Sequence, residues 1–403
     1  MVGLHRRINL VNKTSDVFYA LSRISICTYG VVHFLASILS FPPAADGFLR
    51  VCSCAFAFLG LLIEHGLDLH RVKVHRFFQW YTGILVFSMI TSIYSPSDGS
   101  YYRSVILNTL ILGTIFTLCV NSEENIDRFL WEFSLSGIIV FVLLYSSGQL
   151  HVDDRLGRTL TGDNTNSFAQ YIMLIMFASI ALFYLSDKKI KKIISVVALL
   201  VTGYMIMLSG GRKYIIAPLI MIIFIMLIKT EERNQIIKKI SIIAMIVLGI
   251  TLLWRFMMTN TIVYNTIGYR FLNLVSIDNR EKYIFYGLKF FADSPLWGHG
   301  ENAFSTLIFP YVGRSIYSHN NYIELLVNYG LFGFCWYYYF ISKMATKLFY
   351  YGRKNGDLRC VVFFSLIIAC LFLDIGNVSY CDSALTYCFY AISFNLVYGI
   401  KVE

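Results

Sequence analysis

The sequence predicts an all-α polytopic membrane protein, and three observations carry that prediction. Hydrophobic residues make up 57% of the 403 and charged residues only 14%, against about 25% charged in a soluble domain. Mean hydropathy is +0.62, which leaves too few polar groups to cover a water-facing surface. The apolar residues also gather into helix-length runs of the kind that cross a hydrocarbon core, roughly 20 residues each, separated by short polar breaks.

Twelve runs are expected as transmembrane helices, near 20–41, 49–64, 77–95, 104–120, 129–147, 167–186, 193–209, 214–229, 240–258, 321–341, 360–378 and 383–400. The second and seventh are short. The polar start before the first run and the lack of a small-residue cleavage site argue against a cleavable signal peptide. Pro218 falls inside the eighth run and is expected to kink it. No internal repeat or low-complexity segment interrupts the pattern, so residues 1–403 read as one integral membrane domain.

The net charge is +10, but its distribution points away from nucleic acid. Arg6, Arg7 and Lys13 precede the first run, and Arg71, Lys73 and Arg76 follow the second. Asp187 to Lys192 (DKKIKK) follow the sixth, Lys238 and Lys239 the eighth, and Lys343, Lys347, Arg353, Lys354 and Arg359 the tenth. All fall on one side if both termini do, and that side is then cytoplasmic. Glu123, Glu124, Asp127 and Arg128 after the fourth run add little to this assignment. The nine cysteines lie mostly inside apolar runs; Cys52 and Cys54 have no second pair or nearby His to complete a metal site. They read as small core residues. The outer loops hold no DxD, and Asp153–Asp154 is a bare pair, so no metal or other cofactor is expected.

The opposite face carries segments 148–166, the SGGRK turn at 209–213 and a long loop, 259–320. A long loop between tightly connected helices is usually functional. Its five cations (Arg270, Arg280, Lys282, Lys289, Arg314) and four acids (Asp278, Glu281, Asp293, Glu301) leave a net charge of only +1. Any anion binding must therefore rest on single, well-placed arginines. Arg212 follows two glycines that let backbone approach a ligand; it reads either as a fork for phosphate or as an interfacial arginine. Lys213 beside it reads as an interface anchor or a second contact. Ile284, Leu288 and Phe291 recur at helical spacing behind Arg280, with Lys282 and Lys289 seven apart, as in an amphipathic helix on a membrane surface. Pro295 ends that helix, and Gly298, His299 and Gly300 read first as turn chemistry.

His319 stands where the tenth run begins. A helix N-terminus disfavours the imidazolium, so His319 is a candidate general base; the alternative is a cap or core histidine. Asn320 and Glu324 lie four apart on one face, with Tyr322 between them, and Glu324 either orients a ligand or pairs inside the bundle. In the earlier outer loop Arg155 and Arg158 add cations, and Asn166 and Ser167 are expected to cap the sixth run.

On these motifs the chain resembles the bacterial family of O-antigen polymerases and O-antigen ligases. The matching stretches are Ser209 to Lys213, R-x(14)-P-x-x-G-x-G from Arg280 to Gly300, H-N-x-Y-I-E-x(5)-G-x-x-G from His319 to Gly333, and Arg158 to Ala169. The resemblance covers much of residues 155–334, and the first 150 residues add only hydropathy. It implies a polyprenyl-glycosyltransferase (GT-C-like) fold with a long, partly helical catalytic loop facing the periplasm of a bacterial inner membrane. It also implies a donor oligosaccharide on undecaprenyl pyrophosphate, metal-free transfer, and a chain-length regulator protein as a partner beside the lipid bilayer. Arg212 and Arg280 match the family's essential arginines and His319 its proposed base. Arg158, Lys213, Gly300, Asn320, Tyr322 and Glu324 are the expected substrate contacts. A flippase or transporter is the reading from another class; it calls for ionisable residues deep in helices, and here those are few.

Overall fold

A computed structural model describes residues 2–35, 45–65, 75–150, 156, 165–228, 249, 251–272, 280–381 and 384–399. Among the described residues the chain is helical and contains no strand. The long helices are α1 (Val2–Leu35), α2 (Ala45–His65), α3 (Arg76–Thr91), α4 (Ser100–Cys119), α5 (Glu123–Ser146), α6 (Thr165–Leu185), α7 (Lys189–Ser209) and α8 (Arg212–Ile228). After a helical hook over 251–272 come α9 (Arg280–Asp293), α10 (Asn321–Lys354), α11 (Leu358–Asp374) and α12 (Ala384–Tyr398).

Five helices among the described residues are long and apolar enough to cross a membrane: Gly47–Glu64, Ser100–Cys119, Glu123–Ser146, Asn166–Leu185 and Lys189–Ser209. The expected count of about twelve spans is not reached there, for physical reasons. α3, α8, α11 and α12 have 16, 17, 17 and 15 residues, short of the roughly 20 that cross a bilayer upright. α1 and α10 are long, but their apolar stretches are diluted, in α1 by Arg23 and in α10 by Asn328, Tyr329, Trp336, Tyr337, Tyr338 and Tyr339. About half of the ninth expected run, 240–258, falls outside the described residues.

Several boundaries also move. α5 starts six residues earlier than expected, at Glu123, because Ser122 caps it by accepting from the Asn125 amide (3.2 Å) and two glutamates sit in its first turn. α10 continues past residue 341 to Lys354, so Lys343, Lys347, Arg353 and Lys354 are helical rather than in a loop. α8 runs on through Pro218.

Packing centres on α6, whose residues from Phe168 to Leu182 are almost all buried. Beside it, Phe77, Trp80 and Tyr81 of α3 interlock with Tyr337 of α10 and with Tyr387, Tyr390 and Phe394 of α12, for example Tyr81 on Tyr387 at 4.7 Å. α1 and α5 are joined by Arg23, which is 2% exposed and binds both oxygens of Glu132 at 2.8 and 3.0 Å. Removing either partner of such a buried pair leaves an uncompensated charge and costs about 3–5 kcal/mol.

Side-chain contacts give the bundle two distinct ends. At one end Arg359 bridges Glu123 (2.9 Å) and Asp127 (3.1 Å), Lys191 lies 5.6 Å over Trp131, and Arg76 and Lys347 lie over Tyr398. α3, α5, α7 and α11 start there and α4 and α12 finish there; Asn395 donates to the Thr117 and Val120 carbonyls at 2.7 and 3.0 Å. The other end gathers the starts of α4, α6, α8 and α10, and it holds the candidate site.

Candidate active site

The SGGR turn is local chemistry first. Gly210 caps α7 in the left-handed region (φ 72°), and the Ser209 hydroxyl accepts the Gly211 amide at 3.3 Å. α8 then begins at Arg212, which is half-buried. Lys213 reaches across to the loop after α11, where its ammonium donates to the Gly376 carbonyl and to Asn377 Oδ1. Since an ammonium only donates, the Asn377 carbonyl must face Lys213. The Asn377 amide nitrogen then turns toward Tyr214 Oη (3.2 Å) and Gln170 Oε1 (3.5 Å), and Gln170 donates onward to Thr386 (3.1 Å).

Gly376 is the meeting point of two cations. A methyl group placed on it would lie 3.3 Å from Lys213 Cδ and 3.8 Å from Arg280 Nη1. Arg280, the first residue of α9, therefore arrives beside Lys213 although 66 residues lie between them in the sequence. The loop they share is anchored on its far side. Asn321 Oδ1 accepts the Ser379 and Tyr380 amides at 2.8 and 3.0 Å. Asp374 accepts from Ser379 (2.6 Å) and Tyr338 (3.0 Å).

One turn along α9 from Arg280, Tyr283 faces His319, with ring centroids 6.0 Å apart, and Tyr317 lies 4.1 Å from His319 on another side. Arg314 donates to the Tyr283 hydroxyl at 3.0 Å. His319 is half-buried and has φ 57°, one of two non-glycine residues with positive φ among the described residues, the other being Asn302. That conformation costs about 1 kcal/mol or more and tends to occur where function requires it. It is held by its neighbours: the Ser318 hydroxyl donates to the Asn320 carbonyl (2.7 Å) and accepts the Asn320 amide (3.1 Å). Asn320 caps α10 by accepting from Tyr322 and Ile323. Glu324 is fully buried; one oxygen accepts the Ser318 amide at 2.7 Å and the other accepts from Asn328 at 3.4 Å.

The glycine turn at 294–300 builds the support beneath this corner. α10 is broken at Gly330 (φ 63°, ψ −166°), a conformation open essentially to glycine alone. The freed backbone groups are taken up by the turn: the amides of Leu331 and Phe332 donate to Pro295 and Leu296, and those of His299 and Gly300 donate to Val327 and Asn328. A methyl on Gly298 would lie 2.6 Å from the Asn328 carbonyl. Glu301, also fully buried, receives hydrogen bonds from Ser88 and pairs with Arg103, tying the turn to α3 and α4. Burial raises its carboxyl above the ordinary range, against the pull of Ser88 and Arg103. Around the turn, Tyr283, Phe290, Phe304, Ile308, Ile323 and Val327 form a second small core. The buried face of α9 is thus Tyr283, Gly287 and Phe290; the expected apolar stripe at Ile284 and Leu288 points outward and is exposed.

Between these elements lies a cavity of about 160 Å³ lined by Tyr101, Tyr102, Asn166, Ser167, Gln170, Tyr214, Tyr317, Asn377, Val378 and Cys381. It meets the cations through Asn377 and His319 through Tyr317. Among the described residues no group of three or more His, Cys, Asp or Glu gathers to hold a metal ion.

The expected site residues separate accordingly. Lys213, Arg280 and His319 come to one corner, and Arg212 starts the helix beside Lys213. Arg158 lies outside the described residues, as do Arg155 and the Asp153–Asp154 pair. Asn166 and Ser167 are not caps: the helix already includes Thr165, and both side chains line the cavity. Gly300, at φ 105°, is packed against the Ser95 backbone, and Tyr322 donates inward to the Leu371 carbonyl at 2.9 Å. Asn320, Tyr322 and Glu324 thus bind protein in this structure. Reading the sequence alone misses Gln170, Tyr214, Tyr317, Gly376 and Asn377, since neutral residues in apolar surroundings carry no spacing signal.

Residues 195–338 match the family model described as O-antigen ligase. That span runs from α7 through the SGGR turn, Arg280 and His319 to the middle of α10. No match is found among curated proteins. Over this span, about a third of its length, the chain is similar to the O-antigen ligase family.

Proposed function

We propose that the chain is a surface-polysaccharide (O-antigen) polymerase, which transfers a growing glycan from undecaprenyl pyrophosphate to the sugar end of a lipid-linked repeat unit. The observation that carries this reading is the convergence of Lys213 and Arg280 on Gly376, with His319 and a polar cavity beside them.

In the proposed reaction the acceptor hydroxyl attacks the anomeric carbon of the donor glycan from the face opposite the pyrophosphate, so the centre inverts. The bond from that carbon to the pyrophosphate oxygen breaks as the new glycosidic bond forms. The hydroxyl proton passes to His319 as general base. The leaving pyrophosphate is a weak base and takes no proton; Arg212 and Arg280 hold its growing charge through planar, bidentate donors. Lys213, already engaged by Gly376 and Asn377, acts mainly by fixing the loop and adds positive charge nearby. The lipid tail enters sideways from the bilayer of the bacterial inner membrane. The cation-rich end with both termini lies in the cytoplasm, the site faces the periplasm, and a chain-length regulator acts from outside the chain.

The SGGRK turn and the SHNNYIELLVNYG run favour the polymerase. The O-antigen ligase description of the matching family model favours a second reading, in which the acceptor is lipid A-core. A lipopolysaccharide gel of a deletion strain separates the two. The polymerase reading predicts single repeats on the core, whereas a bare core with accumulated lipid-linked polymer would establish the ligase.

A further inference from the structure

The cavity lining sorts by charge in a way that bears on the substrate. Four tyrosines, three carboxamides (Asn166, Gln170, Asn377) and Ser167 face it, together with Val378 and Cys381, and among the described residues no Lys, Arg, His, Asp or Glu does. The cations stand just outside, on the far side of Asn377. An anion inside would meet hydrogen-bond donors but no cation among these residues, and a buried charge is costly without one. Aromatic faces with a few fixed amides suit instead a compact neutral ligand bearing hydroxyls. About 160 Å³ is room enough for a sugar ring. The amide of Asn377 is oriented by Lys213, and its donor side meets Gln170 only at 3.5 Å, a bond a hydroxyl can replace.

Resting on the transferase reading above, we infer that this cavity is the subsite for one uncharged sugar ring, the donor ring joined to the pyrophosphate, with Gln170 and Asn377 contacting its hydroxyls. The adjacency of Asn377 to Lys213 and Arg280 decides between donor and acceptor. A ring in the cavity has its phosphate end beside the cations, while the attacking hydroxyl comes from the His319 side.

Cys381 lines the cavity and reports its occupancy. The test uses the full-length protein in lipid nanodiscs, as wild type and as His319→Ala so that turnover is not required. Alkylation of Cys381 is followed by mass spectrometry with the exposed Cys335 as reference. The probes are polyprenyl pyrophosphate carrying one neutral N-acetylhexosamine, the same lipid carrying a hexuronic acid, the bare lipid pyrophosphate, and the free neutral sugar. At about ten times its dissociation constant the neutral glycolipid slows alkylation about tenfold, and the other three slow it less than about twofold at the same concentration. In transfer assays Gln170→Ala raises KM about tenfold with kcat little changed, as expected for loss of uniform binding.

Equal protection by the bare lipid pyrophosphate, equal protection by the uronic acid lipid, or no protection by any probe overturns the subsite. Equal protection by the free sugar overturns the donor assignment. Protection without transfer by the wild type sinks the transferase reading and leaves the subsite standing; transfer without protection does the reverse.

Discussion

Two histidines of the outer loop show how differently one residue type is used within 20 positions. His299 is locked into the scaffold. Its amide donates to Val327 at 2.8 Å, its Nε2 bonds the Phe290 carbonyl at 2.7 Å, and glycines on both sides close the turn on the broken helix α10. His319 sits in a costly left-handed conformation between two tyrosine rings, at the rim of a polar cavity and one corner away from two cations. The first arrangement uses a histidine to complete backbone bonding; the second holds a half-buried imidazole against Tyr317, which lines the cavity. Strain maintained beside a polar cavity, rather than histidine itself, is what distinguishes His319 from His299.

The largest test of this contrast is a pair of substitutions. His319→Ala is expected to lower transfer about 10²–10⁴-fold, the usual worth of a general base, with normal protein level. His299→Ala loses one hydrogen bond, about 1 kcal/mol of stability, and keeps long-chain polymer; gel ladders with immunoblotting measure both. Next is Arg103→Ala, which strands the buried Glu301 and should destabilise the outer loop by about 3 kcal/mol, seen as faster limited proteolysis near residue 301. Arg280→Lys keeps the charge but loses the bidentate fork, and transfer should fall about 30-fold, equivalent to about 2 kcal/mol; full activity would make Arg280 structural. Smallest is Gly330→Ala, which forces a side chain into a glycine-only conformation and should cost about 1–3 kcal/mol in thermal stability.

Much of this arrangement is legible in the sequence, and the exceptions have physical causes. Apolar runs locate most helices, and glycines beside Arg212 and ahead of His319 draw attention to the corner where Lys213, Arg280 and His319 meet. The break at Gly330 is invisible because helical pattern continues on both sides of it. The end of α10 is misread because Lys343 and Lys347 look like a loop while they ride on a helix over Tyr339 and Tyr398. Lys213 reads as an interface anchor or a second substrate contact, since nothing local shows that Gly376 and Asn377, about 160 residues on, will receive its ammonium. Gln170, Tyr317 and Asn377 belong to three separate segments, and only the fold brings them to one cavity.

The most direct measurement of the central claim is glycan transfer by the purified protein in nanodiscs, supplied with lipid-linked repeat units and followed by release of undecaprenyl pyrophosphate alongside formation of a two-repeat product. Wild type and His299→Ala are expected to yield both products in equal amounts, and His319→Ala neither. Two-repeat product formed by His319→Ala at the wild-type rate would contradict the account.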